Sequence, residues 1–78
     1  IMINNSTIKE ILGHRFKDAQ IEVSGSESKF EARIISSEFE SLKTIDRHKL
    51  VYQSLDSYIK SGEIHAISLK TLTPNEVS

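Results

Sequence analysis

The chain has no cysteine and no tryptophan, only one proline and three glycines, and no apolar run near the length of a membrane span. Without cysteine it forms no disulfide, offers no thiolate to a metal and holds no thiol nucleophile. Small secreted domains are usually stapled by disulfides, so a cytoplasmic location is the expectation. The N-terminus lacks the basic segment and apolar stretch of a signal peptide, and no stretch reaches the roughly 20 apolar residues of a spanning helix, so no membrane role is expected. Charge of one sign is missing too. Ten Lys and Arg stand against eleven Asp and Glu, a formal net charge of −1, so a nucleic-acid role would need a local basic patch.

The 78 residues suffice for one small core. Such a core leaves little room for the pocket of about 300 Å³ or more that a small-molecule site requires, which favours a binding or carrier module over an enzyme. Ile8, Ile11, Leu12 and Phe16 recur at helical spacing, with Thr7 and Glu10 as a capping-box pattern. Ile21 and Val23, then Phe30, Ala32 and Ile34, alternate with polar residues as in two half-buried strands, and Ser24 to Ser28 reads as the turn of their hairpin. A second helix is expected from Ile45 to Ser61 with Thr44 as N-cap. Its apolar side would carry Ile45, Val51, Leu55, Tyr58 and Ile59, and its wet side Arg47, Lys49, Gln53, Asp56 and Lys60. Gly62 suits the left-handed residue that ends a helix; a last strand follows at Ile64 to Leu72, and Pro74 closes the ordered region.

The expected fold is therefore α+β in the order α-β-β-α-β, with two helices on one face of a three-stranded sheet. The last two strands are parallel if they are neighbours. One domain would span residues 1–78, with loose ends at 1–6 and 75–78.

Few residues carry chemistry. The three histidines show no His-x-x-x-His spacing, and no nucleophile-base pair or paired carboxylates stand out. His14 reads as surface and His48 as a core-edge histidine. Strand parity alone puts His65 on the face of Ile67 and Leu69, as a partly buried histidine. Lys43, Arg47 and Lys49 are the one basic cluster, equally readable as a solvated helix face. No Gly-x-x-Gly loop is present to clamp a nucleic-acid backbone.

Several blocks together carry a family resemblance: Val23-Ser24-Gly25, Phe30, Phe39-Glu40, Arg47-His48-Lys49-Leu50-Val51-Tyr52, and Ile64-His65-Ala66 running on to Lys70-Thr71-Leu72-Thr73-Pro74. Over residues 7–76 the chain resembles the BolA-like proteins. That resemblance implies a KH-like fold of the second class, a monothiol glutaredoxin partner, and a [2Fe-2S] cluster shared with that partner and glutathione, in an adaptor for iron-sulfur cluster assembly or iron homeostasis. It also implies an alternative, a DNA-binding transcriptional regulator, for which Lys43, Arg47 and Lys49 are the candidate contacts.

His65 matches the family's cluster-ligating histidine, and a neutral imidazole is a competent iron ligand. The family's second ligand is a His or Cys in the loop between the first two strands, but here that loop reads Ser24-Gly25-Ser26-Glu27-Ser28-Lys29-Phe30. Lys29 stands about where related bacterial sequences have His, and a protonated Lys has no lone pair for iron. Glu27, a hard oxygen donor poorly suited to a soft cluster, is the one substitute, and otherwise a solvated turn residue. His65 is thus expected as a lone ligand from this side of a shared site.

Overall fold

A computed structural model describes residues 3–77. The elements are α1 (Asn5–Arg15), β1 (Gln20–Ser26), β2 (Lys29–Ile35), a 3-10 turn (Ser37–Phe39), α2 (Thr44–Ser54), α3 (Asp56–Ser61), β3 (Ala66–Leu72) and a final turn of helix, α4 (Pro74–Val77). The order α-β-β-α-β is as expected, with the second helix in two pieces and a short helix appended.

The sheet runs β1-β2-β3, antiparallel in the first pair and parallel in the second. Across it Ile21 faces Ile34, Val23 faces Ala32, and Ala32 faces Leu69, so the alternating apolar residues of all three strands share one face. The helices cover that face. Ile8, Leu12 and Phe16 of α1 and its C-terminus meet Phe39, Val51, Leu55 and Ile64 in one buried cluster. Phe16 and Phe39 lie 5.3 Å apart at its centre with rings tilted by 55°. Truncating either to Ala would cost about 3–5 kcal/mol.

Several boundaries differ from expectation for local reasons. Asn4, not Thr7, caps α1: its side-chain oxygen accepts from the Thr7 amide at 2.9 Å and the Thr7 hydroxyl at 3.0 Å. Ile3 just outside the cap and Ile8 one turn in are buried in the same cluster, a hydrophobic staple. Lys43 occupies the cap position of α2 without a side-chain bond, so Thr44 is a helical residue and not the cap. The helix expected to run to Ser61 breaks at Leu55. There the Ser54 hydroxyl donates back to the Leu50 carbonyl at 3.1 Å, a contact that bends helices, while Leu55 itself is fully buried. The turn expected over Ser24 to Ser28 shrinks to Glu27 and Ser28, with Ser26 already paired to Lys29.

At the C-terminus, Pro74 does not end the ordered chain. Its fixed φ opens α4, where a missing amide costs nothing. The loose ends are likewise shorter than expected: residues 5 and 6 belong to α1 and residues 75–77 to α4, while residues 1, 2 and 78 lie outside the described part. Among the described residues no helix is long and apolar enough to cross a membrane.

Candidate functional site

His65 sits between two anchors. Ahead of it, α3 stops at Gly62, whose φ of 86° only glycine adopts freely, and the Ile64 amide closes back on the Tyr58 carbonyl at 3.0 Å. Ile64 is then buried in the core. Beyond this residue the His65 and Ala66 amides both donate to the Ser28 carbonyl, at 2.8 and 3.0 Å. The backbone of His65 is thereby fixed to the tip of the β1-β2 hairpin while the residue as a whole is exposed. The part-buried strand histidine expected from parity is not what forms, because β3 begins only at Ala66.

The hairpin tip is tightly built. Glu27 and Ser28 both have positive φ, 53° and 69°, which defines the tight two-residue turn that matches strand twist. Gly25 opposite Phe30 has φ 125°, and a Cβ there would stand 2.2 Å from the Lys29 carbonyl oxygen. Glu27 is an exposed turn residue, and Lys29 pairs in register with Ala66, next to His65.

The donor set limits what this site can hold. Among the described residues no group of three His, Cys, Asp or Glu is placed to bind a metal ion. His65 can offer one imidazole, and every other strong ligand of a cluster must come from elsewhere.

His65 also lines a groove of about 510 Å³. Ile59, Ile64, Ile67 and Tyr52 form apolar walls, and Lys49 and Asp56 stand at the polar margin. Asp56 is engaged by Lys60 at 3.0 Å, whereas Lys49 has no ion pair among the described residues.

The basic cluster does not stay together. On the helix Arg47 and Lys49 point about 160° apart, two residues at roughly 100° per residue. Lys49 lines the groove, and Lys43 is exposed at the start of α2. Arg47, expected on the wet side, turns inward: it donates to the Leu42 and Thr71 carbonyls, each at 3.0 Å, and to Glu76 at 2.7 Å. Its side chain is 11% exposed and its guanidinium lies 6.0 Å from the Phe39 ring. Ile45, expected in the core, is instead 62% exposed. His48 is half-buried with its ring edge-on to Tyr52 at 6.3 Å, and His14 is exposed.

Two carboxylates escaped the sequence reading. Asp18 accepts from the Ser37 hydroxyl, from the Ser36 hydroxyl at 2.9 Å and from the Ser37 amide at 3.1 Å, and these bonds, the Ser37 hydroxyl foremost, hold its pKa below the usual 3.8. Glu76 is lowered from 4.5, first by the Arg47 hydrogen bond and then by the Thr73 amide at 2.8 Å. The partners lie 18 or more residues away for Asp18 and 29 for Arg47 with Glu76, so no local pattern marks those bonds; only the capping box Thr73-Pro74-Asn75-Glu76, in which Glu76 accepts from the Thr73 amide, was a local signal.

The comparisons agree with this architecture. Residues 3–76 match the family model described as BolA-like protein. A protein of Acinetobacter guillouiae, named for its place in the rpoN-murA intergenic region, is 40% identical over 95% of this chain and 89% of its own. A Haemophilus influenzae protein named DNA-binding transcriptional regulator BolA is 38% identical over 67% of this chain and 50% of its own. Among solved structures, a bolA protein homologue from Coxiella burnetii superposes with a TM-score of 0.84 at 35% identity, covering 97% of both chains. The BolA domain of SufE1 from Arabidopsis thaliana gives 0.83 at 31% identity, over 92% of this chain and 93% of that one. With its sheet order, its hairpin tip beside His65 and a family match over nearly the whole chain, this protein belongs to the BolA-like family.

Proposed function

We propose that the chain is a noncatalytic adaptor that shares a [2Fe-2S] cluster, as cargo, with a monothiol glutaredoxin. His65 supplies one ligand, and the partner's cysteine and glutathione supply others. The observation that carries this reading is the position of His65: exposed at a groove, with its backbone pinned to the Ser28 carbonyl. A ligand held by its backbone loses little freedom when it binds, which favours capture at a shared site. Glu27 lies at the same tip, but a carboxylate is a poor match to a soft cluster, so it is assigned to the turn.

The test is to mix the purified chain with cluster-loaded monothiol glutaredoxin and follow visible absorption and circular dichroism. Wild type is expected to change the cluster spectrum and His65→Ala to leave it unchanged. An unchanged spectrum with wild type, or an equal change with His65→Ala, sinks the reading.

A DNA-binding regulator is the second reading, favoured by the name of the Haemophilus relative. In this chain its contacts would be Lys43 and Lys49, with Arg47 contributing only after parting from Glu76.

A further inference from the structure

β3 is an edge strand: in the order β1-β2-β3 no strand among the described residues pairs with its outer side. Its register tells which backbone groups are left over. The Ala66 amide donates to the Ser28 carbonyl at 3.0 Å and the Leu72 carbonyl accepts from the Ser36 amide at 2.9 Å, so Ala66, Ser68, Lys70 and Leu72 turn their backbone groups to β2. Ile67, Leu69 and Thr71 then turn theirs outward, and Arg47 donates to the Thr71 carbonyl there at 3.0 Å. That guanidinium closes one end of the edge and leaves the amides and carbonyls of Ile67 and Leu69 open. Such a row is matched best by another extended backbone.

Charge on α2 decides which backbone. The Arg47 bond sets α2 level with β3 at Thr71, and the groove that joins Asp56 to Ala66 and Ile67 shows that the helix runs back against the strand. From Thr71 to Ser68 is about 10 Å of strand, or between about six and seven residues of helix, which sets Ser68 level with Gln53 and its neighbours. A two-fold axis through Ser68 puts Ile67 against Leu69 of the second copy, and the open groups of both are then bonded. The same axis passes Tyr52 and Gln53, so it brings Lys49 to Asp56 of the second copy and Asp56 to its Lys49. Lys49 has no ion pair within the described chain, and the bond of Asp56 to Lys60 is an exposed one that yields readily. On the open face of the sheet Ser68 meets Ser68 and Lys70 meets Ala66, so no like charges are opposed. Strand edge and helix are each self-complementary about one axis.

We propose that the chain forms a symmetric homodimer in which the two β3 strands pair antiparallel through Ile67 and Leu69 into one continuous sheet, with α2 lying against α2 of the second copy. The dimer goes beyond the adaptor reading and stands whether or not His65 binds a cluster.

The test is sedimentation equilibrium of the full chain over a concentration series, with amide hydrogen exchange at low and high concentration. A reversible monomer-dimer equilibrium is expected, and the Ile67 and Leu69 amides should exchange about 5-fold or more slowly where dimer dominates. Ser68→Lys places two cations face to face at the axis, and Lys49→Glu sets a carboxylate against Asp56; each should raise the dissociation constant about 5-fold or more. Lys49→Glu combined with Asp56→Lys reverses both partners and should restore wild-type association. All three side chains are exposed, and the amide spectrum of each variant verifies its fold. A wild type that stays monomeric up to about 1 mM overturns the proposal. So does a dimer that is indifferent to Ser68→Lys, or whose Ile67 and Leu69 amides exchange as fast as in the monomer, because its contact then lies elsewhere. Association weakened by Lys49→Glu and not restored by the reversed pair removes the proposed axis. Protection of both amides by a synthetic peptide of alternating Val and Thr, without self-association of the chain, would assign the edge to a foreign segment and overturn the dimer.

Discussion

The amide of His65 donates to the carbonyl of Ser28 at 2.8 Å, so the residue read as the metal ligand and the hairpin loop read as its neighbour are one mechanical unit. The Ala66 amide shares the same acceptor at 3.0 Å. Any change that moves the hairpin tip therefore moves the start of β3.

Gly25→Ala tests that linkage. The added Cβ would lie 2.2 Å from the Lys29 carbonyl oxygen at a φ of 125°, so the tip must shift. A loss of about 2–3 kcal/mol in denaturant unfolding is expected, together with displaced amide resonances at His65 and Ala66. Unmoved resonances would uncouple the two.

Glu27→Gly runs the other way. Glycine relieves the left-handed backbone at φ 53°, so stability should rise by up to about 1 kcal/mol in the same unfolding measurement. Because Glu27 is assigned to the turn, the spectral change with loaded glutaredoxin should be as in wild type; its loss would restore Glu27 as a ligand.

Asp18→Asn should alter the acid limb of stability. The Asp18 pKa is lowered in the fold, so its contribution is full above the unfolded value near 3.8 and disappears as pH falls through the lower folded value. The gap in Tm between wild type and Asp18→Asn should be present at about pH 6 and shrink below about pH 4. A gap that widens in acid would refute the assignment.

Arg47→Ala leaves the Leu42 and Thr71 carbonyls without their donor, and a loss of about 2–3 kcal/mol is expected from denaturant unfolding. Arg47→Lys should recover only part of it, since one ammonium cannot reproduce the planar fork.

For the regulator reading, duplex DNA binding at low salt should weaken with added salt in proportion to the phosphates contacted. Lys43→Ala with Lys49→Ala should lower both affinity and salt slope. Binding absent at low salt, or indifferent to both changes, ends that reading.

The sheet and its packing were legible because alternation in Ile21, Val23, Phe30, Ala32 and Ile34 reports a half-buried face directly. Burial on α2 was not. Ile45 lies at the start of the helix on the side away from the sheet, while Arg47 reaches inward along its aliphatic stem to distant carbonyls, so hydrophobicity misassigned both. The break at Leu55, where the Leu55 amide bonds to the Tyr52 carbonyl beside the Ser54 back-bond to Leu50, carries no glycine or proline to mark it in the sequence. Around His65, sequence supplied the residue and its loop, whereas the shared Ser28 acceptor depends on the parallel register of β2 and β3.

Glu76 accepts from both Arg47 and the Thr73 amide, which makes the last turn a working brace. A protease cut after Thr73, or a fusion that disrupts α4, would do more than shorten a tail. It would strip Arg47 of its carboxylate, leaving the Leu42 and Thr71 carbonyls as its remaining acceptors, and remove Pro74 and Val77 from the small cavity they line with Ile35. Resistance of that short segment to digestion is therefore a gauge of whether the whole domain is intact.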